Sequence, residues 1–311
     1  MKTIFTRILM AAFLFFYMIL SGITSFFLDF QESQNHVVTD NNNAIVNSYG
    51  LYDLEGKLYH NTDNPVSITD GTFSATCSFG QEDYSGIRNY VLIIMVDFKQ
   101  TEFEVDGKSY RNYRFSLEDE SKCEIEFKLY NLPGDAYEME YLVFDEPDCM
   151  EFSFSDVILG NLFYINTAYI ERFRFSSSEK PSGSLKYIEG TQVPLEEGQS
   201  FDGVSLFKKD IATDVTEAES GTKICLSIGN RYEEDADFAT VAFCNWEQVD
   251  ILPGEEVFYA KLPPDTPYYY EIDLPKVKEN SSYQVVTFDL PFGDDVYPSS
   301  STSCRMIIKG D

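Results

Sequence analysis

The sequence predicts an all-β protein. Three observations say so: short runs with apolar residues at alternate positions, clusters of turn-forming residues between them, and no sustained 3.6-residue stripe after residue 28. YRFSL at 113–117, IEFKL at 125–129 and FRF at 173–175 alternate, as do FYAKL at 258–262 and YEIDL at 270–274. Period two over such lengths describes a strand with one buried face. VDGK at 105–108, LPGD at 132–135 and LPGE at 252–255 supply the turns.

Before the strands comes a segment of different character. Residues 1–28 carry Lys2 and Arg7 and no acid, and residues 8–28 are apolar apart from Tyr17, Ser21, Gly22, Thr24 and Ser25. A basic start followed by an apolar core is a secretory signal, and the expectation is an exported chain. As a helix the apolar run would be about 31 Å long, enough to span a bilayer. Residues 23–25 (ITS) approximate a small-x-small cleavage site, and no Cys stands where a lipoprotein would need one. Cleaved signal peptide and single-pass anchor are both open. The expected location is extracytoplasmic, either anchored in the cell membrane by this N-terminal helix or secreted. Residues 29–44 are polar and Asn-rich and read as a stalk.

Composition then bounds the exported part. The chain has net charge −29, and Lys2 and Arg7 lie in the signal region, so 21 basic residues face 52 acidic ones beyond it. An anionic surface of this strength excludes nucleic acid as a partner and restricts membrane contact to the N-terminal segment. Basic proteins, neutral glycans and cations remain as partners. With 43% hydrophobic and 15% aromatic residues the charge decorates folded cores.

Residues 176–184 (SSSEKPSGS) read as a linker and divide the strands into 45–178 and 179–311. The two parts resemble one another. Cys77 and Cys225, Tyr84 and Tyr232, and Asp97 and Asn245 are each 148 positions apart, as are Phe98 and Trp246, and Gln100 and Gln248. MVDFKQ at 95–100 lies over FCNWEQ at 243–248; small gaps bring VDGK over LPGE and IEF at 125–127 over IDL at 272–274. Tyr137 then meets Tyr283, and Phe144-Asp145 meets Phe288-Asp289. The expectation is a diverged tandem repeat.

Many short strands with frequent turns, Phe98 and Trp246 as large side chains of a central strand packed between sheets, and Tyr137 and Tyr283 each opening a strand after a turn: with these features each half resembles the immunoglobulin-like or fibronectin-III-like domains of bacterial surface proteins. The resemblance implies two tandem β-sandwiches. It departs from antibody-type domains, because no Cys near Tyr141 or Val286 stands to bridge to Cys77 or Cys225. It implies a scaffold and carries no functional residue across.

Six cysteines, Cys77, Cys123, Cys149, Cys225, Cys244 and Cys304, permit three disulfides in an exported chain, but no CxxC occurs and each half holds three. Buried thiols acting as small apolar groups are the preferred reading. Catalysis by a histidine base has only His60 to draw on, since His36 lies in the stalk. For metal, the weak calcium candidates are Glu233, Glu234, Asp235 and Asp237, a run of carboxylates in one loop without the spacing of an EF-hand. The other acidic clusters, at 118–120, 145–148 and 294–295, read as solvated loops. Tyr268, Tyr269 and Tyr270 would offer rings to a sugar, yet alternation sends one or two of them inward. Asn280-Ser281-Ser282 is an N-glycosylation sequon. No catalytic residue and no cofactor is expected. The function that follows is a non-enzymatic binding or structural module of the cell surface; the alternative is an exported carboxylate-based enzyme acting on glycans, with an accessory β-domain.

Overall fold

A computed structural model of the chain describes residues 36–38, 45–59, 66–82, 86–118, 121–150, 168–175, 185–192, 203–208, 211–293 and 299–311. The N-terminal apolar segment, the linker at 176–184, Tyr84, His60 and Asp294-Asp295 lie outside them. Among the described residues all regular structure is β and no helix is long and apolar enough to cross a membrane.

The first half contributes β1 (His36–Val38), β2 (Ile45–Tyr52), β3 (Phe73–Glu82), β4 (Arg88–Val96), β5 (Lys99–Gln100), β6 (Phe103–Val105), β7 (Lys108–Tyr110), β8 (Asn112–Leu117), β9 (Lys122–Leu129), β10 (Glu138–Asp145) and β11 (Ala168–Arg174). The second contributes β12 (Thr191–Gln192), β13 (Gly203–Lys208), β14 (Ile211–Asp214), β15 (Glu217–Glu219), β16 (Lys223–Gly229), β17 (Ala236–Cys244), β18 (Glu247–Val249), β19 (Val257–Leu262), β20 (Pro267–Asp273), β21 (Ser281–Asp289), β22 (Ser300–Thr302) and β23 (Met306–Lys309). They form four sheets. In the first half β1-β2-β3-β9-β6-β7 faces β11-β10-β4-β5, to which β8 adds through β4. In the second half β12-β20-β16-β13-β14 faces β15-β23-β21-β17-β18, to which β19 and β22 add. The pairing β1–β2 shows that part of the expected stalk belongs to the first sheet.

Each pair of sheets encloses a core in sandwich-like fashion. The strand β9 shows why: Ile125, Phe127 and Leu129 are buried while Lys122, Glu124 and Glu126 face solvent. Cys77 and Phe79 beside it, with Tyr90, Leu92, Tyr141 and Phe173 opposite, complete the first core. Ile224, Leu226, Ile272, Phe258, Tyr283 and Val285 build the second.

A third core joins the halves. Along β4, Tyr90, Leu92 and Ile94 enter the first core while Val91, Ile93 and Met95 enter another, shared with Leu142, Phe144, Ala239, Val241, Phe243, Val286 and Phe288. The four layers therefore stack with β4, β10, β17 and β21 in the middle, covered on both faces. Burial on both sides is what their near-continuous apolar runs, VLIIMV at 91–96 and YLVF at 141–144, require. The inner sheets of the two halves are pressed together through this core.

Several placements differ from the sequence reading. Phe98 and Trp246 do not lie mid-strand between the sheets of a sandwich. They occupy two-residue turns, Asp97-Phe98 between β4 and β5 and Asn245-Trp246 between β17 and β18, and both rings enter the third core. All four residues have positive φ (50°, 64°, 49° and 69°), the backbone of a type I′ hairpin, whose twist matches that of the strands. Tyr283 has Met139, not Tyr137, as its counterpart: the two stand opposite Cys244 and Val96 at the ends of β17 and β4. Tyr137 precedes β10 and packs on Phe292 at 5.8 Å. The counterpart of Cys77 is Ile224 rather than Cys225. Cys77 pairs with Ile125 and Ile224 with Ile272, all four pointing into cores, whereas Cys225 alternates to the other face. A slip of one residue reverses every side chain in a strand, which matching Cys to Cys could not reveal.

Candidate functional site

The seam between the inner sheets holds a set of buried polar contacts that join the two halves. At its centre stand Gln100 and Gln248, on the short strands that follow the two turns. The Gln100 amide donates to Gln248 Oε1 at 2.6 Å, and the Gln248 amide donates to Gln100 Oε1 at 2.6 Å. Gln100 Nε2 donates to the Trp246 carbonyl at 2.8 Å, and Gln248 Nε2 to the Phe98 carbonyl at 2.9 Å. Each half therefore satisfies the other's turn in the same way.

Two arginines repeat the pattern further out. Arg172 Nη1 donates to the Asp289 carbonyl at 2.6 Å, and Arg305 Nη2 donates to the Asp145 carbonyl at 2.6 Å. The Arg172 guanidinium lies 5.5 Å from the Phe98 ring centre; that of Arg305 lies 4.7 Å from the Trp246 ring. Asp145 and Asp289 end β10 and β21, and each is followed by a residue of positive φ and then a proline, Glu146-Pro147 and Leu290-Pro291. The Glu146 amide donates to the Asn89 carbonyl and the Leu290 amide to the Asp237 carbonyl, both at 2.8 Å. The rings also cross over. Phe98 meets Phe288 and Phe292, Trp246 meets Phe144, and the indole donates to the Pro147 carbonyl at 3.0 Å.

The two ends of the seam differ in charge. At the second-half end Asn245 Oδ1 accepts from the Ser282 amide at 3.0 Å. At the first-half end Asp97 Oδ1 accepts from the Glu138 amide at 2.9 Å and the Tyr137 amide at 3.0 Å. Glu138 pairs with Arg172 at 2.9 Å and accepts from the Phe292 amide of the other half at 3.0 Å. Glu140, fully buried, accepts from the Phe98 amide at 3.4 Å, and its Oε1 has no hydrogen-bond partner among the described residues. Burial, then the Glu138 carboxylate, pushes Glu140 well above the ordinary carboxyl range against the opposing pull of Arg172. Asp97 is raised too by burial, which outweighs its two backbone donors. Outside this cluster, burial lifts Asp145 to about 7 despite Arg88 at 3.3 Å, and lowers Arg305 to about 10. The arrangement favours the neutral form of Glu140. It offers no open face to a substrate, since Glu138 and Glu140 are buried.

The residues singled out from sequence lie elsewhere. Glu233, Glu234 and Asp235 are exposed in the turn before β17, closed by Asn230, whose side chain donates to the Glu234 carbonyl. Asp237 is inside β17, opposite Lys261. Among the described residues no group of three or more His, Cys, Asp or Glu side chains is placed to hold a metal ion. Tyr270 is buried and Tyr268 packs on the second core, while Tyr269 faces Phe207 at 6.4 Å on the other side of the sheet. Asn280 is exposed, and its side chain accepts from the Gly310 amide. Cys77, Cys123 and Cys244 are free thiols, with burial raising all three. The acids at 145–148 split: Asp145 is buried against Arg88, whereas Asp148 is exposed and pairs with Arg114.

Sequence reasoning marked Asp97, Phe98, Gln100 and their partners only as repeat matches. It missed Glu138, Glu140 and Arg172. Their signal was present as charged residues inside or beside runs otherwise apolar, EMEYLVF at 138–144 and ERFRF at 171–175.

No protein-family model and no curated protein matches the chain. Among solved structures, the McoA multicopper oxidase from the hyperthermophile Aquifex aeolicus is 10% identical at a TM-score of 0.22, over 83% of this chain and 65% of its own. Red sea bream transglutaminase is 6% identical at 0.23, over 85% and 31%. The CsuC–CsuE chaperone–tip adhesion subunit pre-assembly complex of Acinetobacter baumannii Csu pili is 10% identical at 0.21, over 76% and 93%. The chain spans less than two thirds of the oxidase and less than a third of the transglutaminase. At these scores none of the three bears on what this chain does.

Proposed function

We propose that the chain is an exported, non-enzymatic binding or structural module of the cell surface, tethered or released through its N-terminal segment, and built from one immunoglobulin-like sandwich written twice. The observation that carries this reading is the reciprocal seam. Main-chain and side-chain bonds recur across it at matched positions 148 apart in β4–β5 and β17–β18, and 144 apart in β10 and β21. Duplication explains such reciprocity with one cause, because two copies of one surface meet by an isologous contact.

The seam also supports a mechanical role. The central strands of both halves are committed to each other, so the module presents its two outer sheets and end loops as one stiff body. Its strong negative charge suits basic proteins or neutral glycans as partners and repels nucleic acid and anionic lipid. Protease treatment of intact cells, followed by fractionation, tests the address: digestion of the chain without lysis is expected, and a protected cytoplasmic chain overturns the reading. Incubating the purified chain with cell-surface glycans tests the chemistry. Hydrolysis that disappears on neutralising a single carboxylate would replace the binding module with an enzyme.

A further inference from the structure

The two ends of the seam are built on the same backbone but not with the same charge. The Asp97 amide donates to the Glu138 carbonyl at 3.0 Å and the Asn245 amide to the Ser282 carbonyl at 2.9 Å, so Asp97 corresponds to Asn245 and Glu138 to Ser282. Continuing along the paired strands, Glu140 stands opposite Met95 and Gln284 opposite Phe243, which makes those two counterparts as well. Three carboxyls at one end thus replace three neutral groups at the other. The second-half end closes without them, so closure of the fold does not demand carboxyls at these positions.

At the first-half end three carboxyls gather, and among the described residues Arg172 is the guanidinium bonded to one of them. Arg172, from β11, is taken by Glu138 and by the carbonyl of Asp289. Asp97, in the β4–β5 turn, has two backbone donors. Glu140 is left with one long bond from the Phe98 amide and an oxygen with no partner among the described residues. From the second half, Tyr259 on β19 stands among these acids, and burial with the fields of Glu140, Asp97 and Glu138 keeps its hydroxyl protonated. An ionised carboxylate at Glu140 would sit beside Glu138, shut off from solvent and with Arg172 already bonded to Glu138, which is a costly state for a buried acid. As a neutral acid it costs far less and also offers a proton to donate.

We propose that Glu140 is the proton-operated latch of the seam: while its carboxyl is neutral the Phe98 turn is locked against the second half, and when the proton is lost to solvent the first-half end of the seam loosens. The groups that would move are those bonded through the cluster, the Phe98 turn and the Phe292 segment. The bond from the Ser282 amide to Asn245 at the other end, which touches none of these groups, would not.

Amide hydrogen exchange on the full chain tests this, with protection factors corrected for the intrinsic pH dependence of exchange. Between about pH 5 and about pH 9, protection at residues 97–100 and 290–293 is expected to fall by about tenfold or more, the effect of one pKa unit of differential protonation. Residues 224–228, on β16 in the second core and outside the seam, serve as the internal reference and stay unchanged. E140Q, which copies Gln284, and E140L both remove the titrating group. Whichever of them folds is expected to show high protection at both ends, independent of pH. Wild-type protection that does not change with pH overturns the proposal, and so does an undiminished pH response in a folded variant.

Discussion

Removing either seam glutamine tests whether the two halves hold each other as symmetrically as the geometry implies. In Q248A the Gln100 amide loses its acceptor and the Phe98 carbonyl its donor, while the bond from Gln248 Nε2 to the Glu256 carbonyl at 3.1 Å is also lost. In Q100A the Gln248 amide and the Trp246 carbonyl are orphaned, along with the Arg111 carbonyl at 3.0 Å. Both glutamines are at least nine-tenths buried, so water does not readily replace the lost partners. A buried backbone group left without a partner costs about 1–3 kcal/mol. Two such groups per variant, with partial relaxation, give a loss of about 2–4 kcal/mol in each. Urea unfolding followed through Trp246 reads this, because it is the chain's single tryptophan and is buried in the seam. The two losses should agree within about 1 kcal/mol. The double variant should depart from their sum, since the two glutamines bond each other within one network. A loss of several kcal/mol for one variant beside almost none for the other would refute the symmetric reading, as would two losses near zero.

Two further outcomes follow from the same region. D97N should be nearly neutral, because Asn245 fills the corresponding turn with the same bond to a strand amide. D97A should cost about 1–2 kcal/mol in the same urea assay, because it leaves the Glu138 and Tyr137 amides without that acceptor and keeps a residue at φ 50° with no polar side chain to compensate. The third outcome concerns pH. Glu140, Asp145 and Asp289 are all raised by burial, so the folded chain binds protons that the unfolded chain has released. Their stabilising contribution is complete below the unfolded carboxyl range near pH 4 and is lost as pH rises through the folded values, about 7 for Asp145. Each group contributes a slope of about 1.4 kcal/mol per pH unit inside its window. The urea midpoint should therefore be higher at about pH 5 than at about pH 8, and a midpoint that rises over that interval would contradict the assignment.

The β class was legible because strands such as β9 are buried on one face, and alternation reports that directly. The seam was less legible. In β4 and β10 both faces are covered, so the apolar runs carry no period, and nothing in a continuous run says which residue faces which partner. The spacing of 148 pointed to Phe98 with Trp246 and Gln100 with Gln248, yet it could not say that each pair meets across an interface rather than repeating in separate cores. Hairpin twist decides that: positive φ at both turn residues tips the large rings out of their own sandwich and toward the neighbour.

The charges of the seam show why sequence pattern stops short of function. Glu138 and Glu140 look like solvent-facing residues of an alternating strand, since EMEY at 138–141 has the polar residues at every second place. That reading is right about the face and wrong about its surroundings, because the face turned away from the first core is covered by the second half. Burial there turns an ordinary surface pattern into an acid without a counter-ion. A stack of two sandwiches needs no carboxyl at such a face, as Gln284 and Ser282 demonstrate at the opposite end. The carboxyls therefore add a dependence on protons that the neutral end lacks, and the asymmetry between otherwise matching ends separates what holds the fold from what could regulate it.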